Sequence, residues 1–268
     1  MARQAPIGVF DSGFGGLSVL HAIRAVLPAE ALLYCADHAC IPWGERDPEQ
    51  VWRRSRMLCK ALVAGGAKAI VIACNTATAA AAERLRTELE VPVIGMEPAV
   101  KPAAAETRSG VIGVLGTGGT LASARFSGLL ERFAGGLEVV TRPSPELVEL
   151  VESSRPGDPA RQQAVDAAVA PLLAAGADVL VLGCTHFPFL RPEIERAVAG
   201  RAVLIDTGPA VARQLERTLS EQGLLADPGG AGSARFRTSG DPAALDGVLA
   251  ALWPGAAFEP LSAAEARC

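Results

Sequence analysis

The sequence predicts an α/β protein made of two similar doubly wound, mostly parallel sheets. They are related by pseudo-two-fold symmetry, with the functional site between them. Three observations predict it. Short apolar runs alternate with longer helical stretches. A glycine-rich turn occurs twice, as Ile7-Gly8-Val9-Phe10-Asp11-Ser12-Gly13 and as Ile112-Gly113-Val114-Leu115-Gly116-Thr117-Gly118. An apolar run ending in a cysteine and small polar residues also occurs twice, as Val71-Ile72-Ala73-Cys74-Asn75-Thr76 and as Val181-Leu182-Gly183-Cys184-Thr185-His186. The turns are 105 residues apart (7 to 112) and the cysteines 110 apart (74 to 184). A duplicated half therefore places two thiols at equivalent strand ends, facing each other across a cleft.

The elements follow in order. A strand at 6–10 passes through the first glycine turn into a helix over 16–27. A strand at 31–35, a helix over 47–65 and a strand at 69–73 lead to Cys74, and a helix over 77–89 and a strand at 91–95 follow. Glu97-Pro98-Ala99-Val100-Lys101-Pro102 marks a boundary. The second half starts with a strand at 111–115, a helix over 120–134, a strand at 137–141 and a charged helix face at 146–152. A helix over 159–175, a strand at 178–182 running into Cys184, and a strand at 202–205 complete it. After Asp206-Thr207-Gly208-Pro209 a helix over 208–222 returns to the first unit; 227–233 reads as a loop and 261–268 as a frayed tail that includes Cys268. The expected domains are 1–97 completed by 208–268, and 98–207. Strands that read as continuous Val/Ile/Leu runs between helices belong to parallel sheets covered on both faces. Ligands of such sheets sit at the carboxyl ends of strands, where Asp11, Cys74 and Cys184 fall.

Composition narrows the function. Half of the 268 residues are hydrophobic and 4% are aromatic, enough for a core of buried strands and Ala-rich helices. A net charge of −4 gives no reason to expect nucleic acid or an anionic membrane as partner. The first residues lead into a strand without an apolar signal segment, and no run reaches membrane-helix length. A cytoplasmic protein with six reduced thiols is expected.

The glycine turns do not match a dinucleotide or P-loop fingerprint, because Gly13-Phe14-Gly15-Gly16-Leu17-Ser18 lacks the third glycine and no P-loop lysine follows. They read as strand-to-helix turns whose backbone N–H groups hold a carboxylate. Cys35-Ala36-Asp37-His38-Ala39-Cys40 has metal-site residue types but fits no zinc spacing, so no metal is expected. Cys59 reads as core. Cys74 and Cys184 stand out because their setting is duplicated and small polar residues follow each. A helix N-terminus beyond each thiol is expected to favour the thiolate. His186 is placed to orient or deprotonate Cys184, or to bind substrate. Asp11 reads equally as a helix cap, and Glu152 equally as a solvated residue of a charged helix face.

On these residues the chain resembles the glutamate racemases of the cofactor-independent aspartate/glutamate racemase superfamily, from Ile7 to about Asp206. The resemblance rests on Phe10-Asp11-Ser12-Gly13-Phe14-Gly15-Gly16, Pro42-Trp43-Gly44, Ala73-Cys74-Asn75-Thr76-Ala77, Gly116-Thr117-Gly118-Gly119-Thr120 and Leu182-Gly183-Cys184-Thr185-His186-Phe187-Pro188. It implies two cysteine bases, Cys74 and Cys184, assisted by Asp11 and His186, with Glu152 as a helper glutamate. It implies substrate binding by Ser12, Asn75, Thr76, Thr117, Thr120, Thr185 and the backbone of Pro42, Trp43 and Gly44. Three departures stand out. The family usually has tyrosine at Trp43, threonine at His38 and arginine at Cys40, which bears on affinity, loop closure and dimer contacts.

The reaction this implies is interconversion of L- and D-glutamate without pyridoxal phosphate or any other cofactor, feeding peptidoglycan synthesis. Aspartate, hydantoin and maleate are the alternative substrates within the superfamily. A homodimer and a DNA gyrase-inhibiting contact are further partners the resemblance raises. A Cys–His hydrolase needs one nucleophile and one base, and leaves the duplication unexplained.

Overall fold

In the computed structural model, which describes residues 3–154 and 156–267, every strand pairing is parallel and the strands form two sheets. The strands are β1 (Ile7–Asp11), β2 (Leu32–Ala36), β3 (Ala69–Ile72), β4 (Val93–Ile94), β5 (Val111–Gly116), β6 (Glu138–Pro143), β7 (Val179–Gly183), β8 (Val203–Ile205), β9 (Ala234–Thr238) and β10 (Phe258–Pro260). The sheet orders are β10-β9-β2-β1-β3-β4 and β6-β5-β7-β8. Four consecutive strands of each sheet thus have one order, in which the first strand of the unit lies between its second and third. That is the duplication seen in the glycine turns and cysteines, now as topology.

The helices are α1 (Leu17–Val26), α2 (Pro48–Ala64), α3 (Asn75–Glu88), α4 (Val100–Glu106), α5 (Gly118–Leu121), α6 (Ala124–Phe133), α7 (Pro145–Ser153), α8 (Pro159–Ala174), α9 (Arg191–Val198), α10 (Gly208–Glu221) and α11 (Pro242–Leu252). The expected helix over 120–134 is two helices. Ser123 breaks it, because its hydroxyl accepts the Phe126 N–H at 3.1 Å and caps α6.

The central strands β1, β3, β5 and β7 are buried on both faces and read as unbroken apolar runs, whereas the edge strand β6 is largely exposed. Ile7 and Val9 of β1, with Ala69 and Val71 of β3, pack into the cluster that holds Leu17, Leu20 and Ile23 of α1 and Val211 and Leu215 of α10. Phe10, Ile70 and Ile72 point the other way, toward Leu58, Leu62 and Leu85. In the second sheet Leu180 and Leu182 face Val165 and Leu172 of α8, while Val179 and Val181 face Val100 and Phe126. Burying each such side chain stabilises the fold by about 1.5–3 kcal/mol, and this fixes the ends of β1, β3, β5 and β7 at one level.

Beyond residue 222 the structure adds β9, α11 and β10, and β9 pairs with β2. The tail does not fray over the described residues. Leu261 is buried and its N–H donates to the Thr238 carbonyl at 2.8 Å, and Arg54 donates to the Arg267 carbonyl at 2.6 Å. Cys268 lies outside the described residues. Cys35, Cys59, Cys74 and Cys184 are free thiols, whereas Cys40 is disulfide-bonded, against the expectation that every cysteine is reduced. Among the described residues no helix is long and apolar enough to cross a membrane.

Candidate active site

Cys74 follows β3 and Cys184 follows β7, the third strand of each repeated order. Both line one cavity of about 550 Å³. Ser12, Pro42, Trp43, Gly44, Asn75, Thr76, Thr117, Thr120, Glu152, Thr185 and His186 line it as well. Asp11 does not. It is fully buried at the end of β1. Ile41, Glu45, Pro143, Pro145, Val148, Glu149 and Ser153 complete the wall and were not legible as site residues. Pro143 and Pro145 sit where β6 turns into α7, a turn whose place over the cavity depends on sheet order alone.

The two thiols have different neighbours. Cys74 caps α3, its Sγ accepting the Ala77 N–H at 3.5 Å. Burial and the adjacent Asp11 carboxylate nevertheless push the thiol well above the usual range, so it is protonated at neutral pH. The expected pull of the helix N-terminus toward thiolate is outweighed there. Cys184 has no α-helix starting behind it; a short 3-10 helix, Phe187–Leu190, intervenes before α9. In place of a helix it has an imidazole, with His186 Nδ1 3.6 Å from its Sγ.

His186 is 2% exposed, and its Nε2 is 2.5 Å from Glu152 Oε1. Burial opposes charge on the ring, but the bonds to Cys184 and Glu152 outweigh it and hold its pKa well above the ordinary value. The ring is an imidazolium with both N–H groups committed. Burial likewise opposes charge on Glu152, but the His186 and His38 imidazoles bring its pKa down to about 2. Glu152 is therefore a half-buried, ionised carboxylate paired with His186, not a solvated residue of the helix face. Asp11 is raised, because burial outweighs the attraction of His186 and the bonds from the turn.

The first glycine turn holds carboxylates, as its spacing suggests, but they are the protein's own. The Gly16 N–H donates to Asp11 Oδ2 at 2.6 Å and the Phe14 N–H to Glu152 Oε1 at 2.7 Å. The glycines are required by proximity. A Cβ at Gly13 would overlap Glu152 Oε1, and one at Gly15 would overlap the His186 ring and stand 2.5 Å from Thr185 Oγ1. Gly15→Ala is therefore expected to leave a folded protein in which His186 is displaced from Cys184. Its loss of activity should be about 10–100-fold, the worth of a charged hydrogen bond, read by steady-state kinetics beside a thermal melt. Unchanged kcat/KM contradicts this packing.

Opposite the Glu152–His186 pair, three hydroxyls form a triangle. Thr76 Oγ1 lies 2.9 Å from Thr117 Oγ1 and 3.3 Å from Thr120 Oγ1, and Thr117 lies 2.9 Å from Thr120. The Gly119 N–H donates to the Gly44 carbonyl at 2.9 Å and ties the 42–44 loop to the second glycine turn. Asn75 leaves both Oδ1 and Nδ2 unpaired though buried, and Trp43 leaves Nε1 unpaired. These are unpaired donors and an acceptor on two residues that line the cavity. No lysine lines the cavity, and among the described residues no group of three His, Cys, Asp or Glu side chains is placed to hold a metal.

Comparison with known proteins identifies the family and the fold. A family described as Asp/Glu/Hydantoin racemase matches residues 7–215. A glutamate racemase of Pseudomonas putida is 55% identical over 252 residues, 94% of this chain and 95% of its own length. The glutamate racemase isoform RacE1 of Bacillus anthracis superposes with a TM-score of 0.85 at 34% identity, over 97% of this chain and 98% of its own. Escherichia coli glutamate racemase, solved with L-glutamate and the activator UDP-MurNAc-ala, superposes with a TM-score of 0.85 at 32% identity, over 96% of this chain and 98% of its own. The chain belongs to the Asp/Glu/hydantoin racemase family.

Proposed function

We infer that this enzyme interconverts L- and D-glutamate by two-base proton transfer at Cα, with Cys74 and Cys184 as the bases. One observation carries the reading: two buried thiols from equivalent strand ends line one cavity, and each has its own acid behind it. Stereoinversion needs a base on one face of Cα and a proton donor on the other. Cys184, backed by the His186 imidazolium, takes the proton from L-glutamate. Cys74, a protonated thiol beside Asp11, delivers one to the opposite face. The reverse reaction exchanges these roles.

The barrier is the weak acidity of a Cα–H beside a carboxylate. A buried cavity with fixed donors stabilises the charge that develops on that carboxylate, and placed acid–base groups add about 10²–10⁴-fold. Thr185, Ser12 and the Thr76–Thr117–Thr120 triangle supply hydroxyl donors for the substrate carboxylates. The unpaired Asn75 amide supplies an acceptor for the ammonium and a donor for a carboxylate. We read the chain as two units, 1–97 with 208–268 and 98–207, that hold the substrate between them. In the cytoplasm the product D-glutamate supplies peptidoglycan synthesis.

Polarimetry on L-glutamate and on L-aspartate tests the function. The rotation of L-glutamate should decay to zero and that of L-aspartate persist, and dialysis against EDTA or treatment with borohydride should leave the rate unchanged. A stable L-glutamate rotation contradicts the reading, and a decay only for aspartate reassigns the substrate.

A further inference from the structure

A second imidazole reaches the carboxylate that backs His186. His38 opens a short 3-10 helix, His38–Cys40, just after β2. Its ring lies edge-on to Phe14 at 4.4 Å between centroids and to Phe258 of β10 at 5.6 Å. Its Nδ1 is 2.9 Å from Thr238 Oγ1 at the end of β9. Its Nε2 is buried and makes no hydrogen bond, and it lies at ion-pair distance, 3.4 Å, from Glu152 Oε2. His38 does not line the cavity, and the cavity residue its ring nitrogen faces is Glu152.

Glu152 needs such a neighbour. It is the penultimate residue of α7, a nine-residue helix, where the negative end of the helix dipole disfavours a carboxylate. Oε1 is occupied by the Phe14 N–H and His186 Nε2. Oε2 faces His38. With Oε1 anchored by those two bonds, the His38 contact on Oε2 fixes the plane of the carboxylate and so the direction in which Oε1 meets His186. The other titratable groups facing this cluster are Asp11 from β1, Tyr34 from β2 and Cys184 after β7.

We propose that His38 is a positioning residue of the racemase site: held by Thr238, Phe14 and Phe258, it fixes the Glu152 carboxylate so that His186 stays aligned with Cys184. The C-terminal strands β9 and β10 thereby take part in the chemistry without touching the cavity. This rests on the racemase reading for its kinetic consequences, though not for its structural ones.

The test uses two substitutions. His38→Phe keeps a ring between Phe14 and Phe258 but removes the nitrogen that faces Glu152. His38→Gln restores a side-chain N–H in that direction. His38→Phe should lower kcat/KM about 10-fold, the cost of leaving a charged group short of a partner, and equally in both directions because the enantiomers are equal in energy. The primary isotope effect with 2-deuterated L-glutamate should rise, since abstraction by Cys184 slows. That with 2-deuterated D-glutamate should fall, since the Cys184 step then follows abstraction. His38→Gln should lie within about twofold of wild type. In unliganded protein the low-field ring N–H proton of His186 should exchange with water faster in His38→Phe than in wild type and His38→Gln. Unchanged isotope effects and N–H exchange in His38→Phe overturn the proposal, as does an equal loss in both variants or a shift of both isotope effects in one direction. If wild type fails to racemise glutamate, the function falls, while the His186 exchange rate still decides the role of His38.

Discussion

Cys74→Ser and Cys184→Ser should each abolish racemisation of glutamate while the protein stays folded. An alcohol is far less acidic than a thiol, whose ordinary pKa is about 8.5, so serine neither abstracts the Cα proton nor is reprotonated usefully at neutral pH. The expected loss is at least about 10³-fold, within the range of a placed acid–base group. Stability should change little. The side chains are nearly isosteric, both positions are buried at strand ends, and the hydroxyl that Cys74→Ser introduces accepts the Ala77 N–H at least as well as sulfur does. Circular dichroism at the substrate band gives the rate and a thermal melt gives the fold. Near wild-type racemisation by either folded variant contradicts a two-thiol mechanism. A kcat/KM loss in only one direction is impossible for enantiomers, so the diagnostic lies in how kcat and KM divide.

His186→Asn and Glu152→Gln should cost about 10²–10³-fold and about 10–100-fold in kcat/KM respectively, the first removing an acid–base group and the second a charged hydrogen bond. The two substitutions also have a signature in stability against pH. Glu152 is depressed to about 2 in the folded protein. Its contribution is present above the unfolded value of about 4.3 and is lost as pH falls toward 2. His186 is raised in the folded protein. Its contribution is fully present below about 6.5 and is lost as pH rises through the raised value. Both are therefore fully in force between about pH 4.3 and 6.5. Melts of wild type and Glu152→Gln should differ most in that window and converge below it. A Tm difference that stays flat from about pH 5 down to about 2 contradicts a carboxylate held ionised by His186.

The eight strands up to β8 and most helices were legible because each is a run of apolar residues closed by a turn, and burial on both sheet faces demands that pattern. The duplicated glycine turns and cysteines pointed to the cavity that Cys74 and Cys184 both line, since each cysteine follows the equivalent strand of its sheet. Other parts were written in tertiary contacts. β9 reads Ala234-Arg235-Phe236-Arg237-Thr238, where arginines alternate with the residues that pack. Arg235 is neutralised by Glu259 of β10 at 2.7 Å, 24 residues further on. Glu152 looks like Glu146 and Glu149 on one amphipathic helix. It is half-buried and held ionised because His186 and His38, from elements far away in sequence, meet it there. The pKa of Cys74 escaped local reading for the same reason. The helix N-terminus behind it is visible in sequence, but its burial beside Asp11 is not.

The central claim is that two thiols act on opposite faces of one carbon, and the fate of the Cα hydrogen tests it most directly. L-Glutamate is incubated with enzyme in D₂O and both enantiomers are analysed by mass at low conversion. With two monoprotic bases, the proton removed by Cys184 returns only to re-form L-glutamate, and the deuteron on Cys74 enters only the product. The D-glutamate formed should therefore carry one Cα deuterium from its first appearance while the remaining L-glutamate stays unlabelled. Product that retains its Cα protium, or substrate that gains deuterium as fast as product forms, contradicts the account.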